Sequence, residues 1–359
     1  MATNAPRELT ELIGRFPAAK VLVLGDLVAD ESVYGETERI SREAPVLIVR
    51  WEGSDLKPGC AANAAANLCA LGAKVRAVGL VGDDANGERL RSALRNLGAD
   101  DKGVLVAPGR HTATKTRILA GGKNTRRQQM LRVDRDGPGV PEGALLDKLL
   151  AEVRKAASKA DAILVSDYGG GTVAAPIRRL VAELAQQGKL VCVDARYELA
   201  DYRGVTVAKP NEVELEEAVG RKIGDDPRAL EDAGRELLGK LRTKALLVTR
   251  GQSGMALLRP GEPTALLPAH GSAEAVDVTG AGDTVMATFT LAMACGGDAL
   301  LAARLANVAG ALVVRKSGTA TNTSEELLAE VRRTPVAEGS LLPAPSGKVA
   351  ALRATRGRP

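Results

Sequence analysis

The chain reads Asp277-Val278-Thr279-Gly280-Ala281-Gly282-Asp283 and continues without a break into an apolar stretch from Val285 to Ala294. Gly280 and Gly282 permit a tight turn whose backbone N–H groups point outward, and the apolar stretch extends that turn into a helix. Such a helix start binds anions. Asp283 lies at its edge, where a carboxylate can take the proton of an attacking hydroxyl while the amides hold a transferring phosphoryl group. Because glycine loops before helices are also common structural features, the rest of the chain must decide between these interpretations.

The composition indicates a globular protein with an aliphatic core. The chain has 359 residues, of which 45% are hydrophobic and only 2% aromatic. So few rings leave little to stack on unpaired bases, which argues against a nucleic-acid-binding protein. The net charge of +5 is partly local, at Arg126-Arg127 and at Arg353, Arg356 and Arg358 near the C-terminus. A substrate phosphate or nucleotide explains such a local excess equally well.

Cysteine and histidine usage predicts neither a metal centre nor a redox pair. The cysteines at positions 60, 69, 192 and 295 lack metal-ligand and redox spacing. His111 and His270 are isolated, which is typical of structural histidines. The N-terminus has no basic segment followed by an apolar signal core, and no apolar run is long enough to span a bilayer. We therefore expect a soluble, cytoplasmic protein with no membrane partner.

Short apolar runs that end in polar residues predict the main architecture. Because these runs do not alternate, they are typical of strands covered on both faces, and helical patterns such as Pro176 to Gln187 separate them. The sequence thus predicts an α/β fold with a mostly parallel central sheet flanked by helices. Ligands of such sheets gather at the carboxyl ends of the strands. The runs are Val21–Leu24, Ala162–Val165, Leu190–Val193 and Ala245–Val248.

Two segments break this rhythm and predict a small β-sheet lid. Residues 32–51 contain the apolar run Pro45 to Val49, and residues 112–134 resemble a hairpin that turns at 121–124. Neither segment has a helix between its strands. We expect both to pair as a small sheet that covers the site.

Composition also predicts the domain boundary. Residues 1–334 are expected to form one domain that includes the lid, whereas residues 335–359 are rich in Pro, Gly, Ser, Ala and Arg. This basic segment is predicted to be a mobile, solvated tail. Binding of nucleic acid through the tail is an alternative that rests on composition alone.

Two known phosphate-binding patterns are absent from the sequence. There is no GxxxxGK[ST] loop, and Val285 breaks a dinucleotide fingerprint after Gly280 and Gly282. The turn before Asp283 is therefore the candidate phosphate site. Near the N-terminus, Asp30 and Asn63 supply the acceptor and the mixed donor-acceptor needed to bind sugar hydroxyls, although each is equally typical of a helix cap or loop amide.

Taken together, the motifs of the chain resemble those of the PfkB, or ribokinase-like, carbohydrate kinases. The resemblance runs from about Lys20 to Thr323 and rests on three motifs in the family's order: Gly59 to Asn63, Lys209 to Glu214, and Asp277 to Asp283. It implies a ribokinase-like fold and ATP-dependent phosphorylation of a sugar-like alcohol. An alternative of another class is a non-catalytic sugar-phosphate sensor on the same fold.

The resemblance also implies roles for individual residues. Asp283 would be the catalytic base, with Gly280, Ala281 and Gly282 as the anion hole, and Asp30, Gly59 and Asn63 would contact the sugar. Asn211 and Glu214 would organise Mg²⁺ and phosphates through water, and Thr249, Gly251 and Asn307 would lie along ATP. Asp277 and Ser317 would frame a monovalent-cation site, such as one for K⁺.

Within the family, the chain resembles the D-glycero-D-manno-heptose-7-phosphate kinases of bacterial ADP-heptose synthesis. The residues concerned are Tyr34-Gly35, Arg39 to Val46, Thr114 to Arg117, Arg127 to Asp134, and Ser166 to Tyr168. This resemblance implies phosphorylation of heptose 7-phosphate at O1. A phosphorylated sugar needs cations, so Lys115, Arg117 and Arg127 are candidate phosphate ligands on the lid.

Three departures bear on this assignment. Cys60 replaces the usual second glycine of the sugar motif, and Asp194 to Tyr197 stands where an Asp-Pro-Lys-Gly stretch is usual. The chain also leaves no room for the nucleotidyltransferase domain often fused in this subfamily, so we expect a separate protein to perform that step. Fructose phosphates, ribose and nucleosides stay open as substrates. Lid sheets of this family often pair between subunits, which implies a homodimer.

Overall fold

The computed structural model describes residues 5–122, 126–271 and 275–342, and within them two β-sheets and ten α-helices. The larger sheet has ten strands in the order β14-β13-β12-β11-β10-β9-β8-β1-β4-β5. Its strands are β1 (Lys20–Gly25), β4 (Lys74–Gly82), β5 (Asp100–Ala107), β8 (Ala162–Asp167), β9 (Leu190–Ala195), β10 (Val207–Ala208), β11 (Ala245–Thr249), β12 (Met255–Leu258), β13 (Thr264–Leu267) and β14 (Ser340–Leu342). The smaller sheet comprises β2 (Leu27–Ile40), β3 (Leu47–Cys60), β6 (Thr114–Gly121) and β7 (Gln128–Arg135).

The larger sheet is mostly parallel, as the apolar runs predict. All pairs from β11 to β5 are parallel, and only β12, β13 and β14 add in antiparallel fashion. The four predicted runs correspond to β1, β8, β9 and β11. Their apolar residues are buried without alternation because helices cover both faces.

Helices flank the sheet and divide the core into two layers. One apolar cluster contains Phe16, Leu68 and Phe289, and the other contains Leu180, Tyr202 and Leu237. The predicted helix from Pro176 is α5. The helices are α1 (Ala5–Ile13), α2 (Ala61–Ala70), α3 (Ala85–Asn96), α4 (Gly143–Ala157), α5 (Ala175–Gln186), α6 (Glu212–Val219), α7 (Pro227–Leu241), α8 (Ala281–Ala294), α9 (Ala299–Val313) and α10 (Ser324–Arg333).

The smaller sheet is the predicted lid, and its strands are longer than the sequence indicated. Its order is β3-β2-β6-β7, with β2 and β6 parallel and the outer pairs antiparallel. The turn predicted at 121–124 falls partly on residues 123–125, which lie outside the described residues. Because β2 starts two residues after β1 ends, the lid is joined to the main domain by a very short connection.

The predicted tail needs one correction. Ser340–Leu342 is not separate from the domain, because it pairs with β13 and becomes the edge strand of the larger sheet. The triplet Ser340-Leu341-Leu342 is too short to be a strong strand signal, so only the pairing reveals it. Residues 343–359 lie outside the described residues. Within the described part of the chain, no helix is both long and apolar enough to cross a bilayer.

Candidate active site

Asp283 lies in the first turn of α8, at the carboxyl ends of the central strands. The helix begins after Gly280, whose φ of 77° is in the left-handed region, and a Cβ at that position would lie 2.6 Å from Asn63 Nδ2. Glycine is therefore required both by the backbone conformation and by the close approach of α2. The sequence motif thus places Asp283 as predicted, and only 3% of its surface is exposed.

Two hydrogen bonds hold the Asp283 carboxylate. Asn63 Nδ2 donates to Oδ2 at 2.8 Å, and the Tyr168 hydroxyl donates to Oδ1 at 2.9 Å. Burial, followed by the nearby Asp194 carboxylate, raises the pKa of Asp283 to about 7, against the opposing effect of the two hydrogen bonds and of Lys209. A carboxylate with a pKa near neutrality is well matched to general-base catalysis.

Tyr168 was not predicted as a site residue. It follows β8, and its ring also lies 5.5 Å from Lys115 Nζ. The signal available in the sequence was the polar Ser166 to Tyr168 stretch at a strand end, where α/β sheets place their functional groups.

The backbone at the start of α8 supplies part of the predicted anion hole. The amide of Ala281 donates to the carbonyl of Val278 at 3.2 Å, so it is already engaged. Within the described residues, the amides of Gly282 and Asp283 have no backbone acceptor. Of the three residues predicted to form the anion hole, Ala281 therefore has its amide engaged within the turn, whereas the amide of Gly280, like those of Gly282 and Asp283, has no backbone acceptor among the described residues. The anion hole itself stays a prediction.

Of the predicted sugar-binding residues, Asn63 contacts Asp283 directly, and Asp30 and Gly59 lie near each other on the paired strands β2 and β3. Asp30, on β2, accepts a hydrogen bond from Arg117 Nη1 at 3.1 Å and is 8% exposed. Gly59 lies opposite Val28, and a Cβ there would come within 2.9 Å of the Asp30 carboxyl group. Glycine at position 59 thus leaves room for the Asp30 side chain.

Asn63 is more occupied than the sequence indicated. Its Nδ2 binds Asp283, while its Oδ1 accepts a hydrogen bond from Asn67 Nδ2 at 3.2 Å. Asn67 in turn accepts from the Thr284 hydroxyl at 2.8 Å. The side chain of Asn63 therefore orients the Asp283 carboxylate through a buried network that joins α2 to α8.

Cys60 takes up a backbone conformation that favours glycine. Its φ is 54° and its ψ is −125°, which explains why a glycine is usual at this position. Burial raises the pKa of the thiol to about 12, and Lys115 Nζ lies 3.3 Å from Sγ. The neutral thiol therefore lies against the Lys115 ammonium.

A cleft of about 270 Å³ adjoins these residues at the junction of lid and main sheet. Lys115 lines it, but of the three predicted phosphate ligands it is alone in doing so among the described residues. Arg117 is directed to Asp30, and Arg127 pairs with Glu52 at 2.7 Å on the exposed lid surface. The cleft's other cationic residues, which sequence reasoning did not select, are Arg132, Arg135 and Arg196.

The Asn211 and Glu214 motif forms a capping box at the start of α6. Asn211 Oδ1 accepts from the Glu214 amide, and Glu214 Oε2 accepts from the Asn211 amide, both at 2.8 Å. Burial raises the pKa of Glu214, although Lys209 opposes the effect. The box fixes the positions of both side chains at the strand ends.

These two residues fit a metal held through water and not one bound directly. Each already spends one oxygen on the capping box, and no cluster of three or more acidic, His or Cys ligands occurs among the described residues. Glu214 Oε1 has no hydrogen-bond donor within that part of the chain, so it can accept from metal-bound water.

The remaining predicted nucleotide residues lie on neighbouring elements. Thr249 ends β11 and forms a bridge with Asn211, and Gly251 follows with a φ of 51°. Asn307, on α9, donates to the carbonyl of Pro268 at 2.7 Å. The structure therefore brings Thr249 and Gly251 close to the capping box, whereas the amide of Asn307 is held by the segment after β13.

Asp277 ties two loops together. Its Oδ1 accepts from the Thr279 amide at 2.9 Å and its Oδ2 from the Gly318 amide at 2.8 Å. Ser317 is therefore adjacent in the chain to a direct partner of Asp277, and its side chain is exposed. Asp277 and Ser317 therefore lie on two loops that the hydrogen bond from Gly318 joins, and their role in a cation site stays a prediction.

Residues 19–326 match the pattern of the family described as pfkB family carbohydrate kinase. Among curated proteins, the chain is similar to the "Bifunctional protein HldE" of Paramagnetospirillum magneticum, with 38% identity over 92% of this chain and 67% of that protein. It is also similar to the HldE of Caulobacter vibrioides, with 41% identity over 89% and 65% of the two chains. The chain thus spans about two thirds of the length of these relatives.

The fold is similar to that of solved sugar kinases. The structure of Arabidopsis thaliana ribokinase complexed with ribose and ATP superposes with a TM-score of 0.69, at 23% identity, over 88% of this chain and 98% of that one. At this identity the likeness concerns the fold, and it agrees with the mostly parallel sheet and separate lid described above.

Proposed function

Because the chain belongs to the pfkB family of carbohydrate kinases, which transfer a phosphoryl group to an alcohol, we propose that it uses ATP to phosphorylate D-glycero-β-D-manno-heptose 7-phosphate at O1. The product would be the 1,7-bisphosphate. The observation that carries the proposal is the buried Asp283 carboxylate, held by Asn63 and Tyr168 beside the two available amides of α8. The choice of heptose rests on the HldE relatives, whose kinase domain is the heptose-7-phosphate kinase.

In the proposed reaction, Asp283 takes the proton of the O1 hydroxyl as the oxygen attacks the γ-phosphorus. The new O–P bond forms as the bond to the β–γ bridging oxygen of ATP breaks, and ADP leaves with that electron pair. The amides of Gly282 and Asp283 stabilise the charge on the phosphoryl oxygens. The helix dipole of α8 contributes about 0.3–2 kcal/mol to the same end.

Mg²⁺ is the proposed divalent ion, with Asn211 and Glu214 holding its water ligands. When bound, the ion neutralises phosphate charge. Thr249, Gly251 and Asn307 are proposed to lie along ATP, as the resemblance implies. The Asp277 and Ser317 loops are the proposed site of a monovalent cation such as K⁺; replacing KCl with choline chloride at constant ionic strength tests that role.

The 7-phosphate is proposed to bind in the cleft beside Lys115. Lys115, Arg135 and Arg196 have no carboxylate within ion-pair distance among the described residues, so their charges are available to an anion. Arg132 is bound in bidentate fashion by Asp134. Arg117 stays a ligand of Asp30 in this proposal, and Arg127 is a surface residue.

We further propose that the lid pairs two subunits. Its surface exposes several large apolar side chains: Ile40, Leu47, Trp51, Leu131 and Val133. Exposed apolar groups on one sheet mark an interaction surface. Sedimentation velocity is expected to give a dimer, and a monomer at micromolar concentration would contradict it.

Initial rates with Mg²⁺ and ATP against a panel of acceptors test the proposed function. Heptose 7-phosphate is expected to give the highest kcat/KM, ahead of fructose 6-phosphate, ribose and a nucleoside. A higher value for another acceptor would transfer the assignment to that substrate. If the protein bound a sugar phosphate but formed no ADP with any acceptor, the proposed kinase function would be rejected in favour of a non-catalytic sugar-phosphate sensor.

A further inference from the structure

A buried ion pair lies beneath the start of α8. Lys209 Nζ and Asp194 Oδ1 are 2.9 Å apart, and the two residues are only 4% and 9% exposed. The pair follows from topology: β9 and β10 are parallel neighbours, and the Lys209 amide donates to the carbonyl of Val193. Both side chains therefore emerge side by side at the carboxyl edge of the sheet.

The ammonium adjoins the proposed phosphate site. A Cβ on Gly282 would lie 3.6 Å from Lys209 Nζ and 4.0 Å from Asp194 Oδ2. An anion on the amides of Gly282 and Asp283 would consequently lie next to a fixed positive charge. Neither Lys209 nor Asp194 has a role in the reaction as described so far.

Three carboxylates face this ammonium. Burial opposes its charge, but Asp194, Glu214 and Asp283 together hold the pKa of Lys209 above its usual value. A lysine buried this deeply is costly unless it is paired. Its position therefore connects the base, the metal-organising glutamate and the ion-pair partner.

We propose that Lys209 is a positioning residue for phosphoryl transfer: held by Asp194, its ammonium stabilises the negative charge of the Asp283 carboxylate and places a positive charge beneath the transferring group. This inference rests on the proposed kinase function. The competing explanation is structural, in which the pair only fastens β9 to β10.

The surroundings of Asp283 allow the two explanations to be separated. Cys60 approaches from the end of β3 and Tyr168 from the end of β8, and burial raises the pKa of both well above neutrality, so both are uncharged. Of the charged groups near Asp283, Asp194 raises its pKa and Lys209 lowers it. Lys115, which contacts Cys60 and Tyr168, is a further cation on this side of the site, and it is unchanged in the variants below. Removing Lys209 alone leaves Asp194 uncompensated, so the pKa of Asp283 must rise.

Three variants test the proposal: Lys209→Met, the pair-neutral Lys209→Met with Asp194→Asn, and the charge-retaining Lys209→Arg. The pKa of Asp283 is measured by carbon-13 NMR of aspartate-labelled protein, with the signal assigned by its loss in Asp283→Asn. For Lys209→Met we expect a rise of about one unit or more, because an opposite charge at this range shifts a carboxyl by about that amount. The double variant is expected to return to the wild-type value or slightly below it, since Asp194 acts more strongly on Asp283 than Lys209 does.

Kinetics provide the second readout. Lys209→Met is expected to lower kcat at pH 7 by about tenfold or more. The fall of kcat/KM on the acid side of its pH profile is expected to shift to higher pH, and KM for ATP is expected to change far less. Lys209→Arg is expected to keep the wild-type limb. The double variant removes both buried charges and so is the variant most certain to fold.

Unchanged Asp283 titration in folded Lys209→Met would overturn the inference. The inference would also be overturned if the acid limb of the kcat/KM profile were shifted as far in the double variant as in Lys209→Met. Because the NMR titration needs no turnover, it remains decisive even if the wild type phosphorylates no acceptor, an outcome that would count against the proposed function alone.

Discussion

The carboxyl edge of the main sheet and the lid hold their charged side chains in opposite ways. At the sheet edge, Asp283 and Lys209 are nearly inaccessible and every contact crosses between separate elements. On the lid, the side chains of the Arg127–Glu52 and Arg132–Asp134 pairs are about half exposed. Buried charges are fixed in place, whereas exposed pairs are screened by water and contribute little. We infer that residues at the carboxyl edge of the main sheet carry out phosphoryl transfer and that residues of the lid select the acceptor.

The largest expected effect comes from Asp283→Asn. This change keeps the shape of the side chain and removes the base, so kcat is expected to fall by about 100- to 10,000-fold. Calorimetry of ATP binding and a thermal melt serve as controls for the site and the fold. Turnover within threefold of wild type would remove Asp283 from the mechanism.

Tyr168→Phe should have an intermediate effect. It deletes one of the two hydrogen bonds to the Asp283 carboxylate, and because that bond lowers the pKa of Asp283, the pKa is expected to rise. A hydrogen bond to a charged group is worth about 1.5–3 kcal/mol, so kcat/KM below neutral pH should fall by at least tenfold. The loss should shrink at high pH; a pH-independent loss would argue for mere positioning of the acceptor.

Lys115→Gln addresses the lid half of the comparison. Loss of one charge-assisted contact is expected to raise KM for the sugar phosphate about tenfold, with kcat and KM for ATP nearly unchanged. Steady-state kinetics with each substrate varied in turn measures this split. A fall in kcat without a change in KM would mean that Lys115 acts on the chemistry through Cys60 and Tyr168.

Arg127→Gln is the matched control and should give the smallest effect. Its guanidinium pairs with an exposed glutamate and stacks on Tyr34, 5.3 Å from the ring. An exposed pair contributes about 0–1 kcal/mol, so KM for the sugar phosphate should change less than threefold. If KM for the sugar phosphate rose as much as in Lys115→Gln, Arg127 would have to be a ligand of the acceptor after all.

The sequence predicted the fold, and it predicted that Asp283 follows a glycine turn at the start of a helix, because both features rest on local patterns. Uninterrupted apolar runs predicted the buried parallel strands, and the glycines at 280 and 282 predicted the turn that presents Asp283. Each of these signals requires only neighbours in the chain.

What the sequence could not predict depends on contacts between distant elements. Tyr168, Arg196 and the Lys209–Asp194 pair become recognisable only once the strand order brings their ends together. Arg127 precedes β7 and Arg135 ends it, and only the folded lid shows that Arg135 lines the cleft whereas Arg127 pairs with Glu52. Likewise, β14 is a strand because β13 offers an open edge.

The pH dependence of kcat/KM for the sugar phosphate tests the central claim most directly. Because the raised pKa of Asp283 lies at about 7, the base is ionised above that pH, and activity is expected to fall tenfold per unit as pH decreases below it. In Asp283→Asn the residual rate should lose this limb and become flat. A wild-type profile that is flat from pH 5.5 to about 8, or a limb that persists in Asp283→Asn, would contradict the assignment of Asp283 as the base.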